Sequence, residues 1–136
     1  MPYITKEIPT VNGTLYECCD RNMRLKLYCC SFYDFKPEAE SNFDAIWDSA
    51  AFQANNKADR KQYVAIIHSV LKKNGQVYMA VDEFIQKEEL PLDIEEIKNN
   101  FDGKFSFEVT DFVEANEEFQ NKFKIKGTRV YPVLKV

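Results

Sequence analysis

Residues 43–81 read FDAIWDSAAFQANNKADRKQYVAIIHSVLKKNGQVYMAV and predict a strand, a helix and a second strand. The compact apolar run Phe43–Trp47 favours the first strand, and Gln76–Val81 favours the second. Between them, apolar side chains recur at the spacing of an amphipathic helix: Tyr63, Ile66, Ile67, Val70 and Leu71. Asn74-Gly75 is expected to end this helix, because glycine accepts a left-handed cap conformation at little cost. This order of elements predicts a βαβ unit with parallel strands.

Two short strands are predicted before this unit, over Gly13–Cys19 and Arg24–Cys30, with a polar turn at residues 20–22. In the second of them, Leu25, Leu27 and Cys29 alternate with more polar residues. Alternation with a period of two is typical of a strand with one buried face, so these three side chains are expected to face the core.

The residues after the βαβ unit predict one more helix and two more strands. The expected elements are a helix capped by Asp93 with Ile94, Ile97 and Phe101 on one side, a strand over Phe105, Phe107 and Val109, and a closing strand with Val130, Val133, Leu134 and Val136. Pro132 favours an edge or a bulge in that last strand. In the charged stretch Glu114–Lys126, Phe119 and Phe123 either form a lid or face the core. The chain is therefore predicted to be of the α/β class, as a single domain over residues 1–136.

The composition argues against several classes of function. The chain of 136 residues has 18 Lys and Arg against 22 Asp and Glu, for a formal charge of −4. A nucleic-acid partner is not expected, because such binders need a basic face. No apolar run is long enough to span a bilayer, so no membrane partner is expected. The first residues, MPYITKE, lack a basic segment followed by an apolar one, and a cytoplasmic location is therefore predicted.

Neither a metal site nor a hydrolytic site is predicted. The four cysteines form two adjacent pairs, Cys18-Cys19 and Cys29-Cys30, and neighbouring residues of a strand point to opposite faces. Buried, reduced thiols are therefore favoured over a zinc site, whose ligands are usually two to four residues apart. His68 is the one histidine, and the sequence contains no Gly-x-Ser-x-Gly motif. No residue is assigned a catalytic role.

Three blocks resemble the thiopurine S-methyltransferase family: LYCCSFYDF at residues 27–35, FDAIWD at residues 43–48 and ADRKQY at residues 58–63. Their order and spacing match that family, which has a Leu-Tyr-Cys-Cys-Ser strand, a Phe-Asp-x-Ile-Trp-Asp-Arg-Gly strand end and an Asp-Arg-x-x-Tyr helix start. The resemblance covers most of the chain and implies a Rossmann-like class I methyltransferase sheet. It also implies S-adenosylmethionine (SAM) as the cofactor and a small-molecule thiol as the acceptor.

The same resemblance implies a set of binding residues. Ser31 and Phe32 correspond to the strand end that receives the adenine. Trp47, Asp48 and Ser49 correspond to the strand end near the methionine part of SAM, although core packing is an equally good interpretation of Trp47. Lys122 aligns with a family arginine and is the candidate for binding the substrate.

The sequence departs from the family in two ways that predict an incomplete site. The glycine-containing SAM loop and the first two strands of the sheet have no counterpart here, and the four glycines are far apart. The family's Trp-Asp-Arg-Gly reads Trp-Asp-Ser-Ala at residues 47–50, so Ser49 replaces an arginine. A truncated product or an incomplete gene model is therefore expected. Without flanking strands, Leu25–Cys30 and Phe43–Trp47 should become adjacent in a rearranged sheet, self-associate through their unpaired edges, or belong to a poorly folded fragment.

Two functions remain in view at this point. The chain is either a thiopurine-type S-methyltransferase whose activity is lost or impaired, or a non-catalytic pseudoenzyme or truncated isoform that binds a partner. Methyl transfer to an ionised aromatic thiol requires alignment more than a general base, so the missing catalytic constellation does not exclude the enzyme.

Overall fold

The computed structural model describes residues 2–85, 92, 94–108 and 112–136. The chain divides into two compact units, Met1–Ser41 and Asn42–Val136, and each is described by itself. No helix in the described part of the chain is both long and apolar enough to cross a bilayer.

The first unit is an antiparallel sheet of three strands in the order β1-β2-β3. The strands are β1 (Tyr3–Glu7), β2 (Thr14–Cys18) and β3 (Lys26–Cys29). The two predicted strands are confirmed, and β1 is an addition to them. Gly13 is required where β2 begins, because a Cβ there would lie 2.4 Å from the Cys29 carbonyl oxygen.

The prediction of a buried face on β3 is wrong. Leu25 is 42% exposed, Leu27 is 59% exposed and Cys29 is exposed as well. The alternation indicates that Leu25, Leu27 and Cys29 lie on the same face of the strand. That face becomes buried only if another layer of the protein packs on it. The expectation of buried cysteines is also wrong, because Cys19 and Cys29 are exposed and the other two are half-buried.

Within its described residues, the second unit contains a five-stranded mixed sheet and four α-helices. Its elements are β4 (Phe43–Ser49), α1 (Ala51–Ala54), α2 (Arg60–Val70), β5 (Leu71–Phe84), α3 (Ile94–Phe101), β6 (Phe105–Phe107), β7 (Phe112–Glu114), α4 (Glu117–Phe123) and β8 (Ile125–Lys135). The main strand order is β4-β5-β8-β6, and β7 also pairs with β8. The strands β4 and β5 are parallel, which confirms the predicted βαβ unit, and the other pairs are antiparallel.

The helix of the βαβ unit ends earlier than predicted. Leu71 has an extended backbone, is 2% exposed and pairs with Phe43, so it begins β5 and does not close α2. The left-handed residue is Asn74 (φ 62°), which lies inside β5. Gly75 instead permits a close approach, because a Cβ there would lie 2.7 Å from the Leu71 side chain. The β4–β5 register shifts over this stretch.

The core of the second unit lies between the sheet and the helices α2 and α3. The most deeply buried side chains there are Phe52, Val64, Ile67, Val77, Met79, Ile97, Phe101 and Val133. Phe101 is central, with ring centroids 5.5 Å from Phe52 and 5.2 Å from Phe105. Tyr63, Ile67 and Val70 of the predicted helix stripe are buried, in agreement with the sequence. His68 is half-buried on the same helix.

The predicted closing strand is confirmed, but it lies inside the sheet. β8 pairs with β5 along one side and with β6 and β7 along the other, so the expectation that Pro132 marks an edge is wrong. Pro132 lies opposite Tyr78, between the residues of β8 that pair with β6 and those that pair with β7. Its carbonyl oxygen accepts a hydrogen bond from the Glu108 amide. The proline thus lies where neither β6 nor β7 pairs with β8, which is a position that a residue without an N–H can occupy.

The remaining predictions for this part have mixed outcomes. The helix with Ile97 and Phe101 on its buried side is confirmed, whereas Asp93 and Val109 lie outside the described residues. The two strands that were expected to become adjacent belong to different sheets, so that rearrangement is wrong. The expectation of a single domain over residues 1–136 stays a prediction.

Candidate functional site

The carboxyl end of β4 is built around a buried carboxylate. Asp48 is 3% exposed, and its oxygens accept hydrogen bonds from the backbone amides of Ala51 (2.8 Å) and Phe52 (3.2 Å). The hydroxyl of Tyr63, on α2, is a third donor and makes a 2.6 Å hydrogen bond to the same carboxylate. A buried charge is tolerated when donors surround it in this way. Asp48 therefore joins the end of β4 to the start of α1 and to α2.

Between Asp48 and α1 the backbone makes a sharp turn. Ala50 has the left-handed conformation (φ 60°, ψ 6°), which is unfavourable for a residue with a Cβ. Its amide donates a 3.0 Å hydrogen bond to the Ala80 carbonyl oxygen and so extends the β4–β5 ladder by one residue. Left-handed non-glycine residues persist where the surrounding contacts fix them, and they are often found at functional sites.

Gln53 makes hydrogen bonds to β5 beyond the point where β4 ends. Its side-chain amide donates to the Asp82 carbonyl oxygen (2.8 Å) and accepts from the Asp82 amide (2.9 Å). Gln53 is 5% exposed, and its own carbonyl oxygen accepts a 3.0 Å bond from the Arg60 guanidinium. Arg60 is 2% exposed and also binds Glu96 on α3. These contacts tie the turn to β5, α2 and α3.

The side chains of Trp47 and Ser49, on either side of Asp48, point to the opposite face of β4. Successive side chains of a strand alternate between its faces, so Trp47 and Ser49 lie on the face opposite Asp48. Trp47 is 64% exposed and Ser49 is exposed, so the interpretation of Trp47 as a core residue is wrong. In open α/β sheets, ligands bind outside the carboxyl ends of parallel strands. The end of β4 therefore combines a fixed, buried side with an open side that carries Trp47 and Ser49.

The predicted adenine-contacting residues lie in the first unit. Ser31 directly precedes a short 3-10 turn, Phe32–Asp34, and its side chain does not cap that turn. Phe32 is 41% exposed and makes an edge-to-face contact with Tyr33, with ring centroids 6.3 Å apart. The side chains of Ser31 and Phe32 are both exposed to solvent. Their proposed contact with a nucleoside stays a prediction.

Lys122 lies on α4, close to the carboxyl end of β5. The Ile85 amide donates a 2.9 Å hydrogen bond to the carbonyl oxygen of Lys124, the residue that ends α4. The Lys122 ammonium lies 5.3 Å from the centre of the Phe123 ring. Phe119 and Phe123 contact each other at 4.6 Å and are 43% and 49% exposed, so the interpretation of a core-facing pair is wrong. The lid interpretation and the substrate-binding role of Lys122 stay predictions.

Burial and neighbouring charges shift pKa values in both units. In the first unit, burial and the Glu40 carboxylate raise the pKa of Tyr28 to about 12. Hydrogen bonds from Lys26 and Tyr28 lower the pKa of Glu40. In the second unit, burial, and the cations Lys135 and Lys104, lower the pKa of His68. Among the described residues, no group of three or more His, Cys, Asp or Glu side chains could hold a metal ion.

Sequence reasoning identified Asp48 but missed the residues that hold it. Tyr63 was predicted only as part of an apolar stripe, and its hydroxyl bond to Asp48 has no signal in the hydropathy pattern. Gln53 and Arg60 are polar residues that become buried, which composition and periodicity do not predict. The resemblance of ADRKQY to an Asp-Arg-x-x-Tyr helix start was the one signal that could have drawn attention to Arg60 and Tyr63.

Comparison with solved structures identifies the class of fold. The chain is similar to a 1,6-didemethyltoxoflavin-N1-methyltransferase from Burkholderia thailandensis, whose crystal structure contains 1,6-didemethyltoxoflavin and S-adenosylhomocysteine. The TM-score is 0.57 at 15% sequence identity, over 79% of this chain and 49% of that chain. At this identity the likeness concerns the fold alone, which is a mixed α/β sheet of the methyltransferase type. The coarser fold prediction is confirmed, and the absence of two strands and a glycine loop stays a prediction.

Comparison of sequences identifies the family. The family described as "Thiopurine S-methyltransferase (TPMT)" matches residues 7–132, and this chain belongs to it. The thiopurine S-methyltransferase of Oryctolagus cuniculus is 37% identical over 98 residues, which is 69% of this chain and 40% of that protein. The enzyme of Rattus norvegicus is 44% identical over 57 residues, covering 42% of this chain and 23% of that protein. The chain thus spans at most about 40% of the length of these relatives. The resemblance drawn from the sequence is confirmed.

Proposed function

We propose that the chain carries part of the site of a SAM-dependent S-methyltransferase that acts on an aromatic or heterocyclic thiol. The observation that carries this proposal is the turn after β4, where Trp47 and Ser49 face solvent beside a rigidly held Asp48. Family membership and the methyltransferase-type sheet support it. The proposed partner is a small-molecule thiol and not a nucleic acid, given the net charge of −4.

The chemistry requires the chain to align two reactants. The cofactor would supply an electrophilic methyl group, and the acceptor's thiolate sulfur would form a bond to that methyl carbon as the carbon's bond to the sulfonium sulfur breaks. No proton has to move when the thiol is already ionised, so the protein acts through proximity and orientation. In this proposal Lys122 attracts the anionic acceptor, while Trp47 and Ser49 contact the methionine end of the cofactor. An adenine-contacting role for Ser31 and Phe32 is a separate proposal, made for the first unit alone.

The described residues at the end of β4 fit only the methionine end of the cofactor. The exposed Trp47 ring and Ser49 hydroxyl are suited to stacking and hydrogen bonding. The Asp48 carboxylate already accepts three sets of donors, so its contribution is to fix the turn and not to bind ribose hydroxyls. Ser49 cannot supply the charge-assisted fork of an arginine, and such a contact contributes about 1.5–3 kcal/mol. We therefore propose that cofactor binding by this chain is weak and its activity impaired.

The test is a titration of the purified chain with S-adenosylhomocysteine. Trp47 is the one tryptophan of the sequence, so its fluorescence reports directly on the proposed site. We expect weak but saturable binding, together with a rise in melting temperature, since a ligand that binds the folded state stabilises it. No change in either signal at millimolar ligand would refute the cofactor-binding proposal.

A restored arginine gives a sharper version of this test. The substitution Ser49→Arg should tighten binding of S-adenosylhomocysteine by about one to two decades, the equivalent of one charge-assisted contact. Ser69→Arg is the matched control, because it adds the same charge at an exposed position of α2. Equal effects of the two variants would show that general charge, and not a contact at the β4 turn, changes the affinity.

The second candidate function, a non-catalytic binding protein, is favoured by the open edge of β4. Among the described strands β4 pairs only with β5, and it contains neither the lysine nor the proline that commonly protects an edge. Antiparallel pairing of this edge with a second copy would satisfy the backbone N–H and C=O groups that β5 does not. On this proposal the chain is a dimer in analytical ultracentrifugation and Ala45→Lys makes it a monomer. A wild-type monomer at high concentration would refute it.

We also propose a cytoplasmic location. No disulfide joins the four cysteines, all of which lie in the described part of the chain, and two of them are exposed. Exposed cysteines that form no disulfide are typical of proteins in a reducing compartment.

A further inference from the structure

We infer that Tyr63 is a positioning residue for the proposed methyl-transfer site, acting through Asp48 on the turn that presents Trp47 and Ser49. This inference rests on the proposed function and goes beyond it, since it assigns a role at the site to a helix residue that is only 6% exposed.

The first step is that the turn requires support. Ala50 has a left-handed backbone without being glycine, and left-handed geometry costs roughly 1–2 kcal/mol in a residue with a Cβ. The short helix α1 has four residues, too few to be stable through its own hydrogen bonds. Contacts from outside the turn must therefore hold this geometry.

The second step is that Asp48 supplies this support from inside the turn. Its Oδ1 accepts from the Ala51 amide and both of its oxygens accept from the Phe52 amide, so the carboxylate caps α1. A cap of this kind works only if the carboxylate keeps one orientation. Rotation about the side chain of Asp48 would release both amides.

The third step is that Tyr63 fixes that orientation. Its hydroxyl donates to Asp48 Oδ2 at 2.6 Å, the shortest of the bonds that the carboxylate accepts. Tyr63 is itself held, since it is the fourth residue of α2 and its ring centroid is 6.0 Å from that of Phe52. A rigid helix thereby determines where the carboxylate points, and the carboxylate determines the path of the backbone from Trp47 to Phe52.

The fourth step concerns the division of roles along β4. Asp48 faces the core, whereas the residues on either side of it face solvent. A ligand at the end of β4 would contact Trp47 and Ser49 but never Tyr63. Loss of the Tyr63 hydroxyl should therefore affect ligand binding only through the geometry of the turn.

The test compares Tyr63→Phe with Tyr131→Phe. Both remove one hydroxyl from a tyrosine that is 6% exposed in the same unit, but Tyr131 lies on β8 and stacks on Phe107. We expect Tyr63→Phe to weaken binding of S-adenosylhomocysteine by about tenfold, the effect of one hydrogen bond to a charged group. Tyr131→Phe should leave that affinity within about twofold, even if the two variants lose similar amounts of melting temperature.

A second measurement works without any ligand. Amide hydrogen exchange at Ala51 and Phe52 should be faster in Tyr63→Phe than in the wild type, and unchanged in Tyr131→Phe. A double-mutant cycle with Asp48→Asn should show strong coupling, because both substitutions disturb one hydrogen bond.

The results of these measurements separate a failure of the inference about Tyr63 from a failure of the proposed function. If the wild type binds S-adenosylhomocysteine and Tyr63→Phe binds it equally well, the inference is overturned while the proposed function stands. If the wild type does not bind it, the proposed function fails, and the exchange rates then test the positioning role alone. Unchanged exchange in Tyr63→Phe, or additive effects in the cycle with Asp48→Asn, would also overturn the inference.

Discussion

Replacing Gln53 with methionine should destabilise the second unit by about 2–3 kcal/mol. Gln53 is 5% exposed, and its amide makes both a donor and an acceptor bond to the backbone of Asp82, at 2.8 and 2.9 Å. Methionine has a similar length and can fill the same space, but it leaves the N–H and C=O of Asp82 without these partners. Each backbone group left unsatisfied in a buried site costs about 1–3 kcal/mol, and the half-buried position of Asp82 favours the lower part of that range.

The assay is thermal and urea unfolding followed by Trp47 fluorescence, which reports on the unit that contains Gln53. For a unit of this size a loss of 2–3 kcal/mol lowers the melting temperature by roughly 8–24 °C. Gln62→Met is the matched control, because Gln62 is exposed on α2, and its effect should stay within about 0.5 kcal/mol. Equal stabilities of the two variants would refute the reasoning that the Gln53 side chain supplies the hydrogen bonds that a neighbouring strand would otherwise make to Asp82 of β5.

Three further outcomes are expected. Phe101→Ala should cost about 3–5 kcal/mol of unfolding free energy in a urea titration, because the ring is 2% exposed and packed between two others, whereas Phe119→Ala at an exposed ring should cost under about 1 kcal/mol. The pKa of His68 is lowered in the folded state, so on acidification the unfolded chain binds a proton at this histidine before the folded chain does. The melting temperature should therefore fall as the pH drops from about 7.5 to about 5.5. The variant His68→Gln should lose most of this dependence of melting temperature on pH. Glu40→Gln should lower the pKa of Tyr28 from about 12 in an ultraviolet titration while burial keeps it above the usual value of 10; no movement would contradict the contribution assigned to Glu40.

The parts of the fold that follow from local pattern could be predicted from the sequence. The parallel pair β4–β5 with α2 between them follows from two apolar runs and one helical stripe. The end of α2 could not be found in the same way, because Leu71 fits the stripe equally well and only its pairing with Phe43 assigns it to β5. The central position of β8 depends on strand pairing over long distances along the chain, which no local pattern encodes.

For the candidate site, too, local sequence pattern predicts some residues and not others. Asp48 was found through a motif, and the alternation of strand residues explains why it is buried while Trp47 is exposed. The partners of Asp48 are separated from it in sequence and brought close by the fold. A buried arginine such as Arg60 contradicts every hydropathy rule, and it is tolerated because Gln53 and Glu96 accept its hydrogen bonds.

The pairing of β8 with β5 has a consequence for folding kinetics. In the first unit all strand pairs are local, the most distant being Tyr3 with Cys18 and Thr14 with Cys29, so loop closure costs little entropy there. In the second unit Gln76 must find Leu134 before the middle of the sheet exists. Contacts between residues so far apart slow the search, and two exponential phases are therefore expected in a refolding experiment. The slow phase belongs to the unit that contains Trp47, so stopped-flow fluorescence should detect it while the fast phase is followed by circular dichroism.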